Sequence, residues 1–128
     1  MKNFNDLLDM KIWYGPRLME ITGVKLLEVE MPQYGLSNKL VFSIKDVQGN
    51  PFSISDIWIK DKNDTLGIMG LWFQYDEIGN KVHIKANSSI AKLMEYYSCE
   101  SIRGFIGKTV EVFPDDRNFL ALVATEMN

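Results

Sequence analysis

The sequence predicts a mainly β domain, folded as a small Greek-key β-barrel with one inserted helix. Three observations favour this fold class. Several short segments alternate apolar and polar residues, turn residues separate these segments at close spacing, and one stretch between two strands changes to helical periodicity. A parallel α/β sheet would need a helix between most of its strands, and the sequence offers too few helical segments for that architecture.

Residues 79–112 contain the clearest change of periodicity in the chain. A strand comes first, in which Val82, Ile84 and Ala86 alternate with a polar face that is wholly basic or titratable. That polar face consists of Lys81, His83 and Lys85. The alternation predicts a strand with one buried side and one wet side that carries positive charge.

A helix follows this strand. Asn87–Ser89 are suited to cap it because their short polar side chains can accept hydrogen bonds from free N–H groups. From Ile90 to Tyr97 apolar residues recur at helical spacing, and Ile102 to Ile106 repeats that spacing briefly. Gly107 then ends the turn, and a strand resumes over Lys108–Val112. We expect this helix to plug one end of the barrel.

The remaining elements are predicted from alternation and turn residues. In the first strand the alternation slips at Gly23, which favours a β-bulge, and Gly67 and Gly70 suggest bending or close backbone approach in the fourth. The faces of the third strand are not cleanly divided, so a bulge or a change of exposure is expected there. The predicted strands are Leu18–Met31, Lys39–Val47, Phe52–Lys60, Leu66–Tyr75 and Phe119–Thr125, with a loop at Pro32–Asn38 and a short helix over Asn3–Ile12.

Length and composition predict one domain in a soluble, cytoplasmic protein. Of the 128 residues, 46% are hydrophobic and 24% are charged, as in an ordinary globular domain. The single cysteine, Cys99, cannot form an intramolecular disulfide, so a reducing compartment is expected. The N terminus lacks an apolar signal-like region, and no apolar run approaches the roughly 18 residues that span a bilayer, so no membrane association is expected.

No motif supports catalysis or a bound cofactor. His83 is the only histidine, so a histidine pair cannot bind a metal or relay a proton, and Cys99 is expected to be a buried structural thiol. Gly104–Thr109 ends in Gly-Lys-Thr, but it comes before a strand, whereas a phosphate-binding loop opens a helix. Most carboxylates fall in predicted turns, which leaves paired-acid catalysis or a Mg²⁺ site as the minority interpretation. We expect a protein that is not an enzyme and has no cofactor.

Aromatic and basic residues come together in three consecutive predicted strands. The net charge of −3 gives no general attraction to phosphate, so a nucleic-acid site would have to be a local patch. Single-stranded nucleic acid is bound by rings that stack on bases, at roughly 1–3 kcal/mol per base, and by lysines along the backbone. The candidate nucleic-acid-binding residues are Trp58, Lys60, Lys62, Trp72, Tyr75, Lys81, His83 and Lys85.

Other interpretations of these residues stay open. Trp58, Trp72 and Phe73 can equally be core residues, with lysines that keep the sheet soluble and its edges unpaired. A second hypothesis is an interaction or assembly protein of viral or mobile-element origin, which binds no nucleic acid. Its exposed aromatic residues would contact another protein or a second copy of the chain.

The second half of the chain resembles small oligonucleotide/oligosaccharide-binding (OB-fold) proteins of phage and prokaryotic origin. The resemblance rests on a strand that runs into Asn87–Ser89, on the helix Ile90 to Tyr97, and on the strand that begins within Ile106–Val112. It covers roughly residues 80–125. It implies an OB-like barrel, and it implies single-stranded DNA or RNA as the ligand because members of that family commonly bind such strands.

Overall fold

The computed structural model describes residues 3–9, 16–33, 35–73 and 75–126, which form a mainly β structure with one helix inserted between strands, as predicted. The helices are α1 (Phe4–Leu8) and α2 (Ser89–Tyr96), and a 3-10 turn covers Ile102–Phe105. The strands are β1 (Arg17–Met31), β2 (Gly35–Lys45), β3 (Pro51–Ile54), β4 (Asp56–Lys60), β5 (Leu66–Gly70), β6 (Trp72–Phe73), β7 (Tyr75–Ile78), β8 (Lys81–Ile84), β9 (Thr109–Pro114) and β10 (Leu120–Val123).

Most of these strands form one strongly curved sheet. Its spatial order is β3-β2-β1-β9-β10-β4-β5, with β6 paired to β2 beside this path. Its strand pairs are antiparallel except β10 and β4, which are parallel. In a flat sheet β3 and β4 would lie roughly 24 Å apart, five strand spacings of ~4.8 Å. Ser55 alone joins them and spans only about 7 Å, so the sheet must curl.

The core lies on the inner side of this curl. Helix α2 contributes Ile90 and Leu93 to it, and the 3-10 turn contributes Phe105, all fully buried. The Phe105 ring meets the Phe42 ring edge-on, with centroids 5.2 Å apart. The predicted apolar face of the helix is therefore confirmed as the face that packs on the sheet.

Helix α2 is docked by the serines at its start. Ser88, the middle one of the three predicted capping residues, is the N-cap, and its Oγ accepts a hydrogen bond from the Ala91 N–H at 3.2 Å. The Ser89 Oγ–H points to the sheet, where it donates to the carbonyl oxygens of Gly70 at 2.8 Å and Trp72 at 3.2 Å. These bonds hold the backbone on both sides of the break between β5 and β6.

Tyr97 ties the end of α2 to β9 and β10. Its hydroxyl donates to the Val123 carbonyl at 2.6 Å and accepts from the Glu111 N–H at 3.0 Å. Burial raises the pKa of Tyr97 far above its ordinary value, so the hydroxyl keeps its proton and both bonds. Lys108 donates from Nζ to the Tyr97 carbonyl at 2.8 Å, which gives the lysine of the Gly-Lys-Thr segment a structural role.

Replacement of Tyr97 by phenylalanine should lower the free energy of unfolding by about 1–3 kcal/mol, because a carbonyl and an N–H group lose their partner. Urea denaturation at neutral pH measures this loss, with Tyr96→Phe at an exposed neighbour as the control. As the pH rises, Tyr97 ionises in the unfolded chain before it ionises in the folded protein. The wild type should therefore also lose stability above the ordinary tyrosine pKa of about 10. Tyr97→Phe should lose less stability over that pH interval. If the stability of the two proteins depended on alkaline pH in the same way, the role of the Tyr97 hydroxyl would be contradicted.

The structure corrects several predicted boundaries. Residues 35–38, predicted as loop, extend β2 and pair with the far end of β1. The predicted third strand is interrupted at Ser55, so that Ile54 and Ile57 both face the core, which explains its mixed faces. The predicted fourth strand is divided into β5, β6 and the start of β7. Alternation along one strand does not reveal where its hydrogen-bonding partner changes.

The predictions for the N-terminal part have mixed outcomes. The register of β1 against β2 shifts between Ile21 and Gly23, which confirms the predicted bulge. The helix predicted over Asn3–Ile12 is present as α1, and its predicted residues 10–12 lie outside the described residues. No helix in the described part of the chain has the length and apolar character needed to cross a membrane.

Candidate nucleic-acid interface

One outward surface of the sheet brings together both candidate tryptophans. In β4 buried residues alternate with outward ones, so Asp56, Trp58 and Lys60 point away from the core. Strand β6 pairs with β2 so that Trp72 stands opposite Lys39. We call these five residues the tryptophan face.

Lys39 connects the two parts of the tryptophan face. Its Nζ lies 3.5 Å from Oδ1 of Asp56 and 5.0 Å from the centroid of the Trp72 ring. Asp56 is two residues before Trp58 on the same side of β4, which places their Cα atoms roughly 7 Å apart. Both indoles therefore belong to one continuous surface.

Gly70 allows the Trp72 indole to lie against the sheet. A Cβ atom at this position would stand 2.5 Å from Nε1 and 2.7 Å from Cδ1 of Trp72, and 3.3 Å from Cε of Lys39. Non-bonded atoms do not approach so closely, so a larger residue would displace the indole. The close approach predicted at Gly70 is confirmed, whereas the corresponding space at Gly67 is open.

Trp58 is oriented by β9. Its Nε1 donates to the Phe113 carbonyl at 3.2 Å, and the two rings meet edge-on with centroids 6.3 Å apart. Trp58 and Trp72 are both half-buried, and neither belongs to the buried core, so the core interpretation is wrong for them. The core interpretation is correct for Phe73, which packs against the core.

Each lysine of the tryptophan face has a carboxylate neighbour. Lys39 is paired with Asp56, as described above, and the Nζ atom of Lys60 lies 3.7 Å from Oδ1 of Asp64. The Asp64 side chain is 84% exposed. Because exposed ion pairs contribute only about 0–1 kcal/mol, Lys60 can exchange this carboxylate for a phosphate at little cost.

Three other candidates lie on the separate hairpin of β7 and β8. Tyr75 stands opposite Ile84, and His83 stands opposite Asp76. Opposite residues share a side of the hairpin and consecutive residues alternate, so Tyr75 and His83 face opposite ways. Lys81 shares the side of His83, and all three candidates are exposed. The predicted set is therefore divided between two parts of the molecule.

The last two predicted residues lie beyond strand ends, and one residue of the site was missed. Lys62 is exposed in the turn after β4, and Lys85 follows β8 directly.

Lys39 was not among the candidates, although alternation with buried Leu40 and Phe42 placed it on the outer side. Only the pairing of β2 with β6 brings it to an indole.

The turn carboxylates serve the backbone. Oδ1 of Asp61 accepts hydrogen bonds from the N–H groups two and four residues later, at 2.8 and 3.0 Å. Oδ1 of Asp115 accepts the equivalent pair at 2.8 and 3.0 Å. Burial acts to raise the pKa of Asp115, but these hydrogen bonds and the Arg117 guanidinium lower it overall. No group of three or more His, Cys, Asp or Glu side chains within the described residues could hold a metal ion.

Comparison of the chain with family models, with curated proteins and with solved structures finds no match.

Proposed function

We propose that the chain is an OB-like, partly open Greek-key barrel that binds single-stranded DNA or RNA and catalyses no reaction. The strand order supports this fold. Strands β1, β2 and β3 follow one another antiparallel, α2 precedes β9 in the chain, and β10 pairs in parallel with β4. Counted as one strand interrupted at Ser55, β3 and β4 complete a five-stranded arrangement with β1, β2, β9 and β10.

The tryptophan face is the observation that carries the proposed function. Two half-buried indoles share one outward surface with Lys39 and Lys60, and every base offers a flat face to such rings. A base that stacks on Trp72 would displace the Lys39 ammonium from the ring. The Lys39 ammonium would then contact the phosphate of the same nucleotide. Lys60 would exchange its contact with exposed Asp64 for the phosphate of a neighbouring nucleotide.

The charges around this surface predict a moderate dependence of binding on salt. Two phosphate contacts on a single strand give a slope of about −1.4 in log affinity against log salt, or roughly a sevenfold loss between 50 and 200 mM salt. Stacking on the two indoles would supply most of the affinity, in keeping with the net charge of −3.

Fluorescence anisotropy with labelled single strands of about 12 nucleotides tests this proposal. Lys39→Met removes the ammonium, so it should weaken binding at low salt and reduce the salt slope by about half. The matched control is Arg117→Met, because Arg117 also lies over an aromatic ring, that of Phe119 at 4.9 Å, outside the tryptophan face.

Two results would overturn the proposed function. One is the absence of binding to both oligo-dT and oligo-U at about 50 mM salt. The other is an equal effect of Lys39→Met and Arg117→Met, which would mean that the protein attracts nucleic acid only through its general charge. Thermal melts of both variants are needed alongside, because Lys39→Met leaves Asp56 and Arg117→Met leaves Asp115 without its ion-pair partner.

A further inference from the structure

An open groove lies apart from the tryptophan face. It has a volume of about 1120 Å³ and is bounded by the hairpin β7–β8, the outer part of β1, and α2 with the loop that follows it. We call it the hairpin groove. It is open and larger than the roughly 300–1,000 Å³ of a typical small-molecule pocket, which favours a polypeptide occupant. Its apolar lining includes Leu26, Phe73, Tyr75, Val82, Ile84 and Met94.

Part of the apolar lining of this groove is left uncovered by the described residues. The alternation of β8 predicts that Val82 is buried, yet 63% of it is exposed, which corrects that prediction. Leu26 is 52% exposed and Tyr75 is 49% exposed. The hairpin forms its own two-stranded sheet, and on its apolar side Ile84 packs against the core whereas Val82 stays exposed. Two strands with an incompletely covered apolar side are marginally stable in water. These side chains are therefore in place to be covered by an occupant.

The polar lining of the groove is acidic. Glu77, Glu95 and Glu100 lie along it, and its described lining contains no lysine or arginine. His83 also lines the groove. Three carboxylates beside apolar surface repel a phosphate backbone and attract ammonium and guanidinium groups.

We propose that the hairpin groove binds an amphipathic basic segment of a protein partner, with apolar side chains on the groove floor and Lys or Arg beside the three glutamates. This inference does not depend on nucleic-acid binding. The two ligands have opposite charge requirements, so the groove and the tryptophan face can be tested separately.

Cys99 gives a direct probe because it lines the groove and is the only cysteine of the chain. A synthetic Leu/Lys peptide of about 14 residues, long enough to form an amphipathic helix, should slow alkylation of Cys99 by iodoacetamide several-fold. A Leu/Glu peptide of the same length and pattern should not protect the thiol, and neither should a single-stranded oligonucleotide. Intact-mass spectrometry measures the rate.

Titration calorimetry with charge-reversed variants locates the binding. Glu95→Lys combined with Glu100→Lys should weaken binding of the Leu/Lys peptide at least tenfold. The control combines Asp116→Lys with Glu126→Lys, two exposed acids outside the groove, and changes the net charge equally. Equal weakening in both double variants, no binding of the Leu/Lys peptide, or equal binding of the Leu/Glu peptide would overturn the proposal.

Discussion

Replacement of Phe105 by alanine should lower the free energy of unfolding by about 3–5 kcal/mol. Phe105 is fully buried and its ring meets Phe42 edge-on, and the centroid of the Tyr97 ring lies 6.4 Å from that of Phe105. Loss of the ring removes the buried side chain by which the 3-10 turn packs on the sheet. The resulting cavity lies among β-strands whose backbone is fixed by the ladder, so it cannot close fully.

Urea denaturation followed by circular dichroism measures this loss. Phe119→Ala is the control, because Phe119 is 60% exposed and its removal should change stability by no more than about 0.5 kcal/mol. A loss for Phe105→Ala as small as that of the control would mean that the 3-10 turn is not part of the cooperative core. The two backbone bonds between residues 107–108 and Ile21, at 2.8 and 3.0 Å, would then hold the turn.

Replacement of Trp72 by alanine should weaken binding of a single-stranded oligonucleotide roughly 5- to 150-fold, the equivalent of about 1–3 kcal/mol for one stacked base. This prediction rests on the proposed function. The Lys39 ammonium lies over the indole, so the substitution removes both the stacking ring and one of the two partners of Lys39. Anisotropy titrations at about 50 mM salt measure the effect.

A second variant tests whether the position of the Trp72 indole matters for binding, and not only its presence. Gly70→Ala leaves every ring and charge in the chain but forces Trp72 away from the sheet, so it should also weaken binding. Phe119→Ala removes an exposed ring outside the tryptophan face and should leave the affinity unchanged. Wild-type affinity in Trp72→Ala would refute the stacking role, and unchanged binding of the Leu/Lys peptide in that variant would show that the hairpin groove is intact.

The predictions that held depend on neighbours along the chain. The cap at Ser88, the apolar face of α2 and the bulge near Gly23 follow from local spacing and from the freedom of glycine. Strand boundaries were less accurate because they depend on a partner. Residues 35–38 look like a loop by composition, yet they form strand because β1 is long enough to pair with them.

The candidate site could be predicted only in part. The sequence identified Trp58, Lys60 and Trp72, which share one surface. It also grouped them with Tyr75 and His83, which lie on opposite sides of a separate hairpin. Alternation shows which residues share a side of one strand. It does not show which sides of two different strands belong to the same surface.

The sequence by itself determined the mainly β class and the inserted helix, because these follow from backbone periods of two and 3.6 residues. The tertiary structure alone decided that Lys39 lies over Trp72 and that Val82 is uncovered. Both facts depend on which distant strands pair. That choice is made by the packing of the whole core and not by the residues next to each position.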